Sequence, residues 1–194
     1  ELWAYDYPAH FSEWMGGEGP RATPTYDDGF LYSQGAAGLF ACLGAESGRL
    51  LWKRDVLTEN GSTNLFYGLA NSPLVVDDKV VVLTGGATQG RSVVAYHRLT
   101  GDPVWHALDD PQAYVSPLLV DLAGERQLLI VTARRAVGLR PDNGALLWEY
   151  PWRVPYDNAI AVPVVVGSDR FVLSAGYGVG AALVQVGKTN GTWS

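Results

Sequence analysis

The chain has 194 residues, of which 47% are hydrophobic and 18% charged, and its formal charge is −6. This composition fits one globular domain with a sizeable core and excludes a disordered chain. The acidic balance excludes a nucleic-acid partner, which would need a basic face to displace counterions. A single cysteine, Cys42, excludes a disulfide framework,.

The chain opens on Glu1–Tyr5, where Trp3 reads as the tail of a repeat whose start is missing, so residues 1–6 are expected to form the outer strand of a preceding unit. A connection rich in non-repeating residues follows, His10–Gly19, with Trp14 inside it. The first full unit spans about 21–56 and spells four short strands: Ala22–Tyr26, Phe30–Ser33, Leu39–Leu43 and Leu50–Lys53. Asp27-Asp28-Gly29 separates the first two, and Gly-rich steps separate the others. Such dipeptides supply the positive φ that tight hairpins need.

A second unit, about 70–108, follows the connection Glu59–Leu69 with Pro73–Val76, Val80–Thr84, Ser92–His97 and Val104–His106. The third, about 114–150, gives Pro117–Val120, Gln127–Thr132, Ala136–Leu139 and Leu146–Glu149. After Trp152–Asn158, the fourth, about 160–194, gives Pro163–Val166, Arg170–Ser174, Ala181–Val186 and a shortened last strand around Trp193. Each unit begins near a proline (Pro24, Pro73, Pro117, Pro163) and the first three end on Gly-x-x-x-Trp at Trp52, Trp105 and Trp148.

A repeat of roughly forty to fifty residues, each built of four antiparallel strands, predicts an all-β chain, a β-propeller of four blades plus one extra strand. Helical spacing is sustained nowhere, and runs such as Val80-Val81-Val82-Leu83 are short and β-branched. A proline at the start of each first strand suits the innermost position, where a missing N–H is tolerated. The recurring Trp residues are assigned to the seams between blades, and Cys42 to the core beside Phe40 and Leu43.

These phrases resemble the PQQ-type propeller repeat, shared by quinoprotein dehydrogenases and by cofactor-free relatives of the BamB type. The likeness lies in tails such as Ala45-Glu46-Ser47-Gly48 up to Trp52 and Pro141-Asp142-Asn143-Gly144 up to Trp148. Gly19-Pro20-Arg21-Ala22-Thr23-Pro24, Asn71-Ser72-Pro73-Leu74-Val75 and Ser174-Ala175-Gly176-Tyr177-Gly178 resemble secreted PQQ-like repeat proteins of planctomycetes. The resemblance implies a ring of seven or eight blades, of which this chain would be part, and a periplasmic or secreted location. A two-fold dimer is one way to complete such an arc, with Glu1–Tyr5 finishing a partner's fourth blade.

Function is expected where the repeats differ. Loops into the innermost strands converge near a propeller axis, which singles out Arg21, Asn71, Tyr114, Ser116 and Asn158 as candidate ligand-binding residues. Tyr7, Trp14, Trp152 and Tyr156 fall outside the repeat phrase, and the long connections His10–Gly19, Glu59–Leu69 and Trp152–Asn158 are the least scaffold-like parts, where propellers commonly place binding,. No catalytic residue and no metal ligand is assigned: His10, His97 and His106 lack ligand spacing, no serine elbow is present, and Gly176-x-Gly178-x-Gly180 reads as a hairpin tip. Asp109-Asp110 and Arg134-Arg135 read as solvated turns. The primary expectation is a non-catalytic scaffold that binds a protein or carbohydrate partner, with no cofactor. The alternative is a fragment of a PQQ-dependent alcohol or sugar oxidoreductase. In that resembled group the quinone lies between a Trp and a vicinal disulfide beside Ca²⁺, and the lone Cys42 cannot supply the disulfide.

Overall fold

A computed structural model describes residues 1–194, apart from the side chain of Ala87. A small hairpin comes first, β1 (Ser12–Glu13) and β2 (Gly17–Glu18). The first sheet contains β3 (Thr25–Asp27), β4 (Phe30–Gln34), β5 (Leu39–Gly44) and β6 (Leu50–Asp55), and one helical turn, α1 (Val56–Glu59), follows it. The second sheet holds β7 (Leu74–Val76), β8 (Lys79–Gly86), β9 (Arg91–His97) and β10 (Pro103–Ala107). The third holds β11 (Leu118–Leu122), β12 (Glu125–Val131), β13 (Arg135–Leu139) and β14 (Leu146–Pro151). A fourth has three strands, β15 (Val164–Val166), β16 (Arg170–Ala175) and β17 (Gly180–Gln185), and the chain ends in a separate hairpin, β18 (Lys188–Thr189) and β19 (Thr192–Trp193).

Every pairing is antiparallel between consecutive strands, the topology of propeller blades,. The turns follow the sequence: Asp28 (φ 45°) and Gly29 (φ 82°) link β3 to β4, both left-handed as a two-residue hairpin requires,. The first strands lie side by side, β3 against β7 and β7 against β11, so each sheet enters from the same side of the molecule.

There is a core between each pair of sheets. Tyr32, Phe40, Cys42 and Trp52 of the first sheet meet Val80, Val82, Val94 and Tyr96 of the second. The opposite face of the second sheet, Val81, Leu83, Val93 and Ala95, meets Leu128, Ile130, Val137 and Leu139 of the third. Leu129, Val131, Ala136 and Trp148 then meet Phe171, Leu173 and Val184 of the fourth. This explains the unbroken apolar run at Val80–Leu83: β8 is buried on both faces,.

The Trp phrase works across the seams. Trp52 donates its indole N–H to the Arg98 carbonyl (2.9 Å), and Trp105 donates to that of Pro141 (3.0 Å). Each ring covers the phrase glycine of the following sheet, Gly101 or Gly144, where an added Cβ would fall 2.7 or 2.6 Å from the indole. Trp3 makes the same contact with Gly48 and donates to Ala45 O at 2.9 Å. Glycine and Trp of one phrase therefore serve different seams.

Three expectations change. Residues 1–6 form no strand: Trp3 is docked on the chain's own first sheet, so Glu1–Tyr5 is not held out as an edge strand for a second copy. Trp193 does not complete the fourth sheet, because it stands two residues after Gly191 rather than four and pairs with Lys188 in the terminal hairpin. With Gly191 left uncovered, Trp148 turns to the Gln127 side chain (2.6 Å) and to Phe171, ring centroids 5.4 Å apart. His10–Gly19 is not a plain connection, since it contains the β1–β2 hairpin.

Candidate functional site

The loops leading into the four sheets are stitched to one another. The Thr23 N–H donates to the Ser72 hydroxyl (3.2 Å), the Ser72 N–H to the Ser116 hydroxyl (2.8 Å), and the Thr25 hydroxyl to the Pro73 carbonyl (2.5 Å). Small hydroxyl residues before the repeated prolines thus set the spacing between first strands. Ser116 acts here as a positioning residue within the chain. Asn71 is fully buried: its side-chain oxygen accepts from Gln34 Nε2 at 3.2 Å, while Asn71 Nδ2 and Gln34 Oε1 lack partners. It lies below the surface, out of reach of a ligand on the face, and the unpaired amide groups suit an ordered water. Polarity alone could not reveal this, because a polar loop residue turns inward when a buried amide partner waits there.

Above this layer the remaining candidates join in a continuous band. Arg21 Nε donates to Tyr67 O (3.3 Å) and its Nη2 to Gly17 O (2.9 Å), with Glu13 at 3.5 Å, so its charge is spent holding the β1–β2 hairpin. The Tyr67 N–H donates to the Tyr114 hydroxyl (3.3 Å), and the two rings meet edge to face at 5.8 Å. Burial pushes the Tyr114 hydroxyl above the ordinary phenol value,. The Tyr114 N–H bonds Ala159 O (3.0 Å), and next to it Asn158 Nδ2 donates to the Tyr177 hydroxyl (2.9 Å). Arg21, Tyr114 and Asn158 are therefore brought to one face, with Asn158 itself nearly covered.

The surface this band offers is aromatic. Phe66, Tyr156 and Tyr177 are exposed, as are Trp14 and Met15 at the hairpin tip, where the Tyr67 hydroxyl reaches the Met15 sulfur at 3.4 Å. Phe66, Tyr67 and Tyr177 escaped selection as site residues. Phe66 and Tyr67 fall in a connection marked as non-scaffold, and Tyr177 in a Gly-rich tip, so large exposed rings outside the repeat phrase were the available signal.

Asp110 is buried rather than solvated, held by Arg135 (2.9 Å), and Arg135 also binds the exposed carboxylates of Asp109 and Glu149, whereas Asp109 and Arg134 lie at the surface as expected. The Asp110 carboxylate, buried and paired with Arg135, is a poor ligand for Ca²⁺,. Cys42 is buried alone. His97 Nδ1 accepts from the Leu99 and Thr100 N–H groups, and His106 Nδ1 contacts Gly90 O at 3.0 Å. Among the described residues no group of three or more His, Cys, Asp or Glu could hold a metal ion.

The family model described as outer membrane protein assembly factor BamB matches residues 1–194. The chain belongs to this family of PQQ-type propellers. Solved structures with the same fold include the computationally designed Ika8 protein (TM-score 0.60, 12% identity, 87% of this chain and 46% of that one). BamB from Moraxella catarrhalis matches with TM-score 0.55 and 20% identity over 92% of this chain and 56% of its own. Quinohemoprotein alcohol dehydrogenase from Comamonas testosteroni matches with TM-score 0.55 and 17% identity, over 87% and 32%. The chain thus spans about half the length of the first two and a third of the last. No curated protein matches it significantly. Among the described residues, no helix is long and apolar enough to cross a membrane.

Proposed function

We propose that this BamB-like propeller is a non-catalytic binding module that engages a protein partner through the face formed by its lead-in loops. The carrying observation is the single hydrogen-bonded band from Arg21 through Tyr67 and Tyr114 to Asn158 and Tyr177, contributed by the loops of all four sheets. Its exposed rings match the aromatic enrichment of protein interfaces, and the bonds between loops fix them before binding, which lowers the entropic cost of association. The matched family is described as an assembly factor of the outer membrane, which favours a protein partner over a carbohydrate and a periplasmic or outer-membrane-associated location.

The test is site-specific photocross-linking in the producing cell, with the reactive residue at Phe66 on the band or at Lys53 on exposed β6. The reading expects one defined protein adduct from Phe66 and none from Lys53. Equal labelling from both positions, or PQQ- and Ca²⁺-dependent dye reduction by the protein, would overturn it.

A further inference from the structure

Three non-glycine residues with left-handed backbone gather at one end of the band: Tyr156 (φ 63°), Asp157 (φ 57°) and Tyr177 (φ 56°). Tyr156 and Asp157 lie in the 3-10 turn Pro155–Asp157 that leads into the fourth sheet, and Tyr177 tops the β16–β17 hairpin. Bulky side chains seldom adopt this conformation, and where surrounding contacts enforce it the residue often serves a ligand. At Tyr177 the hairpin turn itself sets the backbone, since Tyr177 and Gly178 (φ 78°) are its two left-handed central residues and Val179 N–H closes on Gly176 O at 3.1 Å,. The side chains are then brought together, with Asn158 Nδ2 holding the Tyr177 hydroxyl at 2.9 Å and the Tyr156 and Tyr177 rings meeting at 5.6 Å and 68°. Yet the rings are 82% and 58% exposed, so their packing against the chain does not explain them.

We propose that this tyrosine–aspartate corner receives a cationic side chain from a basic segment of the protein partner. The inference rests on the binding role proposed above and names the chemistry of the partner. In this edge-to-face pair one ring turns its edge to the other, and the faces left exposed to solvent offer a cation the negative side of the ring quadrupole,. The exposed Asp157 carboxylate adds a full charge, and among the described residues it makes no ion pair. Arg21, the cation of the band, is already bound by Glu13 and by two backbone carbonyls. The net charge of −6 steers a basic partner toward the protein and an anionic bilayer away from it,. A neutral glycan would gain from the rings but nothing from the carboxylate.

The probe is an acetylated, amidated decapeptide of alternating Gly and Arg, with its Gly–Gln counterpart and cellohexaose as comparisons, titrated calorimetrically at physiological salt. Only the Arg peptide is expected to bind. Tyr156→Ala, Tyr177→Gly and Asp157→Asn should each weaken it about 3- to 30-fold, while Asp142→Asn, on an exposed turn elsewhere, should not. Tyr177→Gly also separates binding from folding: glycine relieves the left-handed backbone, so the melting temperature should hold or rise as affinity falls. Arg-peptide binding indifferent to the three substitutions, cellohexaose binding in its place, or no binding at all would overturn the proposal. If the Phe66 cross-link persists in any of these cases, the cationic chemistry fails and the binding face stands.

Discussion

Cys42 and Tyr32 face each other across β4 and β5, both without solvent contact, and their burial has a consequence for alkaline stability. Burial pushes the Cys42 thiol up to about 11 from an ordinary 9.0, and it raises the Tyr32 hydroxyl well above the ordinary phenol value. Raised values mean that the folded state holds its protons after the unfolded chain has released them. The stabilising effect is therefore complete below pH 9 and is lost as pH climbs toward 11,. The unfolding free energy from urea melts should fall across this window, by about 3 kcal/mol at most from the thiol,. Cys42→Ala should flatten the early part of the fall, before the phenols contribute. An equal fall in wild type and variant would contradict the assignment.

Between elements, the Gly–Trp latch is the recurring device. Gly101 combines left-handed backbone (φ 73°) with the Trp52 ring against its Cα, so two separate demands exclude a side chain. Gly101→Ala should cost about 2–4 kcal/mol, from backbone strain together with overpacking of the seam, read from chemical denaturation. Gly176→Ala, in open space at an exposed tip, should cost much less. Elements of this kind were legible in the sequence because strand alternation, Asp-Gly turns and the Trp phrase repeat. The seam partners were not: that Trp52 serves Gly101 and not Gly48 depends on how sheets stack. Asn71 shows the same limit at the site. Its loop position was readable, but its inward turn toward Gln34 comes from the neighbouring sheet. The aromatic band was half legible, since Tyr114 and Asn158 lie beside the repeated prolines whereas Tyr67 and Tyr177 lie in loops of irregular length.

At the scale of the molecule, the repeats build a set of seams and so fix a common side on which every lead-in loop emerges. The scaffold is periodic and buried; the loops differ from sheet to sheet and carry the exposed rings. That division of labour is why the Trp residues indicate architecture and why the face of Arg21, Tyr67, Tyr114 and Tyr177 is the one we propose for binding. The most direct measurement is backbone hydrogen exchange on the protein alone and in complex with the partner captured at Phe66. The account predicts slowed exchange over residues 64–69, 112–116 and 156–159, with the outer strands β6, β10 and β14 unchanged. Slowing on those outer strands, with the lead-in loops unaffected, would contradict it.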